Sequence, residues 1–61
     1  MKEAYVTYNV SNGIYHIELT IDGEFAGGGT TGTKDYENAY VFASKVAKTK
    51  GARLAWFRKE G

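Results

Sequence analysis

Few side chains in this 61-residue chain can do acid–base, nucleophilic or metal chemistry. There is one histidine, His16, and no cysteine. A lone imidazole works as a general base only beside a nucleophile and within a pocket. His16 stands in an alternating stretch that predicts a flat sheet face, so a surface or interface role is expected rather than catalysis. Glu18, Asp22, Glu24, Asp35, Glu37 and Glu60 have no metal-ligand spacing, and none of them pair as a hydrolase's two carboxylates would. Without cysteine no thiolate zinc site can form, and a single imidazole excludes a His-rich metal cluster. The run Gly27-Gly28-Gly29-Thr30-Thr31-Gly32-Thr33-Lys34 leads to a helix start, where backbone N–H groups can hold a phosphate. It lacks the Gly-x4-Gly-Lys-Ser/Thr order of a phosphate-binding loop, and Asp35 and Glu37 would repel an anion. Its expected role is the exit from an edge strand. No enzyme activity, cofactor or metal is therefore expected in a chain with so little interior for a pocket.

The remaining candidates are binding side chains. Tyr5, His16, Arg53 and Phe57, with Ile14 and Thr20, fall on one face of the expected sheet and make it partly aromatic and partly basic. Three readings are open for such a face. It can be a homodimer or partner interface. It can be a platform on which single-stranded nucleic acid stacks its bases. It can also be an ordinary amphipathic surface, because Thr, Asn and Glu lie there too. No RNP-like Lys/Arg-Gly-Phe/Tyr motif is present, which counts against the second. Glu18 and Glu24 count against a major-groove mode using Arg53, Arg58 and Lys59. The expectation is a small non-catalytic protein-binding module, with Tyr5, His16, Arg53 and Phe57 as its contacts, acting as a homodimer or on another protein. A nucleic-acid-binding module on the same face is the alternative.

These residues share a face only if particular elements form. Ala4 to Val10 alternates apolar and polar residues, as does Ile14 to Ile21. Asn12-Gly13 between them favours a two-residue hairpin loop, whose central positions both need φ > 0. That loop pairs Val10 with Tyr15, Tyr8 with Ile17, Val6 with Leu19 and Ala4 with Ile21, which makes a core face. Asn9 with His16, Thr7 with Glu18 and Tyr5 with Thr20 make the other.

Asp22-Gly23 predicts a second hairpin, with a third strand from Glu24 to Thr30. A two-residue turn would put Phe25 outside, whereas a bulged three-residue turn would put it inside. Phe25 inside is favoured, since so small a core needs the ring. A helix is expected from Lys34 to Lys50, with Thr33 as N-cap, Gly51 as C′ residue, and Tyr36, Ala39, Ala43, Val46 and Ala47 on its buried face. A last strand, Ala52 to Arg58, would turn Leu54 and Trp56 to the core and Arg53, Ala55 and Phe57 outward. The fold class is α+β: a single βββαβ domain over residues 1–61. A right-handed crossover gives a four-stranded mixed sheet of order 3-2-1-4 with one helix on one face. The opposite face has no cover within the chain.

Thr33-Lys34, a short acidic stretch, Ala39, Ala43, Ala47, Lys50-Gly51-Ala52, Leu54 and the Lys59-Glu60-Gly61 end resemble the helix half of small bacterial and phage βββαβ domains of unknown function. The order of elements is also similar to the partial ribonuclease-H-like fold of HicB-type antitoxins. The first resemblance implies a phage-type accessory or inhibitor protein, and the second implies protein–protein antagonism. Neither supplies catalytic residues. The chain departs from the first pattern at Gly27-Gly28-Gly29 and in the longer acidic stretch before Ala39.

Composition agrees with a folded domain. Hydrophobic residues make up 43% and aromatics 15%, well above a disordered composition. The formal net charge is +1, too low for strong non-specific DNA binding. It is unevenly spread, with a net −3 over residues 1–30 and +4 over 31–61. No apolar stretch approaches the roughly 20 residues of a membrane span. The N-terminus has no apolar core of a signal peptide. The chain is expected to be complete from Met1 to Gly61, soluble and cytoplasmic.

Overall fold

The computed structural model of the protein describes residues 1–60. Its elements are β1 (Lys2–Ser11), β2 (Ile14–Ile21), β3 (Glu24–Thr30), α1 (Tyr36–Thr49) and β4 (Ala52–Lys59). They form one sheet of order β3-β2-β1-β4, with β4 parallel to β1 and the other pairings antiparallel. This is a small α+β domain with βββαβ topology, as expected.

The first hairpin takes the register that its turn and alternation dictate. Val6 faces Leu19, Tyr8 faces Ile17, and Asn9 faces His16. Asn12 (φ 54°) and Gly13 (φ 78°) both have positive φ, as a type I′ loop requires. Asp22 (φ 52°) and Gly23 (φ 83°) repeat the arrangement, so the second hairpin also has a two-residue turn.

That turn corrects the expectation for Phe25. Ile21 pairs with Glu24 and Thr20 with Phe25, which sends the ring to the face away from the helix, where it is 68% exposed. The register then shifts, and Gly27 lies opposite Leu19. Ala26 is the extra residue of a bulge, and it packs against the core in place of Phe25. The glycines that follow have backbone reasons to be glycine. A Cβ on Gly28 would stand 2.8 Å from the carbonyl oxygen of Ile17.

A second bulge corrects β4. Ala4 pairs with Leu54, but Tyr5 pairs with Trp56 and Val6 with Phe57. Ala55 is therefore extra, and beyond it the strand reverses the faces of its side chains. Phe57, expected on the open face, is buried in the core. Trp56, expected in the core, stands beside Tyr5 on the open face.

The helix starts later than expected. Its N-cap is Asp35, whose carboxylate accepts the Asn38 N–H at 3.0 Å. Thr33 instead accepts the Asp35 N–H through its hydroxyl, two residues before the cap. Lys50 closes the other end with its N–H donating to the Ala47 carbonyl, and Gly51 follows at φ 73°. Ala39, Ala43 and Ala47 are buried, which lets α1 lie close to the sheet. The core is correspondingly thin: Leu19 and Val6 are its largest fully buried side chains, and Phe57 extends the same row. Beside them, Tyr8 stacks on Phe57 at 4.7 Å, and Tyr36 and Tyr40 meet Phe57 edge-on at 5.5 and 5.6 Å.

Candidate interaction face

The helix covers one face of the sheet, and β1 supplies Glu3, Tyr5, Thr7 and Asn9 to the other. Register places His16, Glu18 and Thr20 of β2 beside them, with Phe25 of β3 and Arg53, Trp56 and Arg58 of β4 at the flanks. One row crosses all four strands: Phe25, Thr20, Tyr5, Trp56. Three of its four members are aromatic. The Tyr5 and Trp56 rings lie 5.2 Å apart at 53°. The Arg58 guanidinium sits over the Trp56 ring, 4.6 Å from its centre, a cation–π contact that leaves the cation in solvent. Thr20 fills the gap in the row and donates its hydroxyl to the Tyr5 carbonyl at 3.3 Å.

The four residues expected to act together divide. Tyr5 is at the centre of the row. Arg53 lies on the same face, one row away, where its guanidinium donates to both carboxylate oxygens of Glu3 at 2.8–3.1 Å. This pairing holds the Glu3 carboxyl below its ordinary range through the hydrogen bonds from Arg53, and raises Arg53 in return. Among the described residues it is the one ion pair. His16 lies two rows from Tyr5, opposite Asn9 and Thr30, in a shallow polar hollow that also takes in Glu18 and Glu60. Phe57 leaves the set for the core. Trp56, Phe25 and Arg58 join it. The apolar run Leu54-Ala55-Trp56-Phe57 was the available signal, because four apolar residues in succession fit either phase of a strand.

Charge on this face is sorted by strand. β4 carries Arg53 and Arg58. β2 carries Glu18, and the turn after it carries Asp22, whose N–H donates to the Glu3 carbonyl. Among the described residues, no three or more His, Cys, Asp or Glu side chains gather where a metal could be held. Among the described residues, no helix is long and apolar enough to cross a membrane. On the covered side, a shallow apolar groove of about 280 Å³ runs between the glycines of β3 and Phe42, Val46 and Lys50 of α1.

Fold and face together define a small α+β domain with one sheet surface left open and aromatic. No protein-family model, curated protein or solved structure matches the chain.

Proposed function

We propose that this chain is a non-catalytic protein-binding module that acts through the open face of its sheet, on itself or on another protein. The observation that supports this reading is the row Phe25–Thr20–Tyr5–Trp56. Adjacent aromatic side chains that a core does not use are costly in water, and Tyr, Trp and Arg are the residues on which interfaces most often depend. The resemblance of residues 33–61 to small phage domains adds an accessory or inhibitor role to the same proposal. The test is affinity capture from the producing cells with the wild-type chain and with Tyr5→Ser/Trp56→Ser, with circular dichroism as the control for folding. The double variant is expected to keep its fold and lose the captured partner or the self-association. Equal recovery by both chains would move the functional surface elsewhere.

A second reading, nucleic-acid binding, draws on Arg58 over Trp56 beside Tyr5, since bases can stack on such rings. Glu18 in the next row works against a backbone-tracking groove. Quenching of the single tryptophan by oligonucleotides separates the two readings. Binding that falls steeply with salt would favour nucleic acid, whereas an apolar protein interface would be far less sensitive.

A further inference from the structure

We propose that the partner of the open face is a second copy of this chain, packed face to face about a two-fold axis that runs parallel to the strands between β1 and β2. This rests on the protein-binding reading above and names the partner.

The strand order makes the face self-complementary under that rotation. It exchanges β3 with β4 and β2 with β1. In the aromatic row, Phe25 of one copy comes over Trp56 of the other, and Thr20 comes over Tyr5. In the next row, Gly28, Glu18, Thr7 and Arg58 lie side by side. Rotation sets Arg58 over Gly28 of the second copy, a position with no side chain, with Glu18 of that copy on the adjacent strand. Strands are about 4.8 Å apart, which an arginine side chain spans. The symmetry produces this contact twice. The cations of β4 thus meet the acidic side of the opposing sheet at both flanks, while the rings fill the middle. Glu3 comes over Asp22 of the second copy, but its carboxylate is already neutralised by Arg53, which lies diagonally across from that Asp22.

Charge selects this axis over the other face-to-face choice. A two-fold axis across the strands, centred on the aromatic row, would set Arg58 against Arg53 and Glu18 against Asp22. Like charges placed across an interface disfavour it. Size fits as well. Four strands of this spacing and length present roughly 500 Å² in projection, and side-chain relief brings the accessible area near the ~800 Å² per partner of a standard interface. Two sheets packed in this way lie about 10 Å apart with strand directions within about 30°, the geometry of a β-sandwich.

The experiment is sedimentation equilibrium of the full chain from about 1 to 300 μM, with Trp56 emission followed over the same range. A dimer is expected, with emission moving to shorter wavelength along the same isotherm. Glu18→Arg and Arg58→Glu, both at exposed positions, are each expected to weaken the dimer about tenfold or more. An equimolar mixture of the two variants is expected to recover association, because in the mixed dimer each reversed charge meets its opposite. A dimer indifferent to both reversals, with unchanged Trp56 emission, would use another surface and overturn the proposal. A chain that stays monomeric throughout would also overturn it. If the monomeric chain still captures a protein that Tyr5→Ser/Trp56→Ser loses, only the identity of the partner is wrong. If capture is also the same for both chains, the protein-binding reading falls with it.

Discussion

Trp56 and Phe57 are neighbours in β4 yet serve opposite faces: Trp56 meets Tyr5 at 5.2 Å on the open side, and Phe57 stacks on Tyr8 at 4.7 Å under the helix. One extra residue, Ala55, precedes them and sets that phase. A slip of a single position would exchange the two, putting an indole into a core built to alanine spacing and a phenyl ring into the solvent.

The two rings should therefore respond differently to truncation. Phe57→Ala is expected to cost about 3–5 kcal/mol, against a total stability on the order of 3–9 kcal/mol for a chain of this length. Trp56→Ala is expected to cost under about 1.5 kcal/mol, since it loses the ring contact with Tyr5 and the solvent-exposed cation–π contact with Arg58 but no core volume. Urea denaturation followed by circular dichroism measures both. The reverse order of effects would mean that β4 pairs without its bulge.

The parts of the fold legible in the sequence are those where two local signals agree. Asn12-Gly13 and the alternation on either side of it specify the same register, and β1–β2 follows it throughout. The alanine spacing and Gly51 specify the buried face and end of α1 in the same way. Strand alternation misplaces Trp56 and Phe57 because a bulge at Ala55 decides their faces, whereas Phe25 is misplaced because core size argues for a bulged turn where Asp22-Gly23 forms a two-residue one. A bulge is set by pairing with a distant strand, and strand-period reasoning assumes that there is none. The candidate site followed suit: Tyr5 was found by alternation in an unbroken strand, whereas Trp56 lay hidden in the apolar run Leu54–Phe57. At the helix start, Thr33 and Asp35 are both capping residues two positions apart, and only the observed Asp35–Asn38 bond separates them.

Gly28 is the tightest backbone approach in β3. A methyl group there would lie 2.8 Å from the Ile17 carbonyl oxygen, and the neighbour is backbone rather than a side chain that could swing away. Gly28→Ala is expected to destabilise the domain by about 1–3 kcal/mol through this overlap. Thermal melting measures it. A neutral result would show that β3 sits farther from β2 than this contact requires.

Glu3 and Arg53 give stability a small acid-dependent component. The pair lowers the Glu3 carboxyl from its ordinary value near 4.5. A group lowered by folding stabilises the native state fully above its unfolded pKa, and the effect is lost as pH falls through the folded value. Glu3→Gln should thus shift the urea midpoint slightly downward at neutral pH, and the difference should vanish below the ordinary carboxylate range. Arg53 is largely in solvent and Glu3 is partly exposed, so added salt should shrink the shift as well. A difference that persisted in acid would have a cause other than this ion pair.

Phe25 distinguishes a ring kept for binding from one kept for folding. At 68% exposure it has little native burial to lose. Its register neighbour on the open face is Thr20, and Ala26 takes the core position that the ring might have filled. Phe25→Ser should therefore change stability by no more than about 1 kcal/mol, the range of an exposed strand position. The same substitution removes one end of the aromatic row and should weaken association through the open face, while Phe25→Trp, which keeps a flat apolar ring there, should preserve it. Chemical denaturation and sedimentation on the same samples give both quantities. A loss of stability like that of Phe57→Ala would put Phe25 in the core after all. Unchanged stability with unchanged association would restrict the contact surface to Tyr5, Trp56 and Arg58, at the β1–β4 side of the sheet.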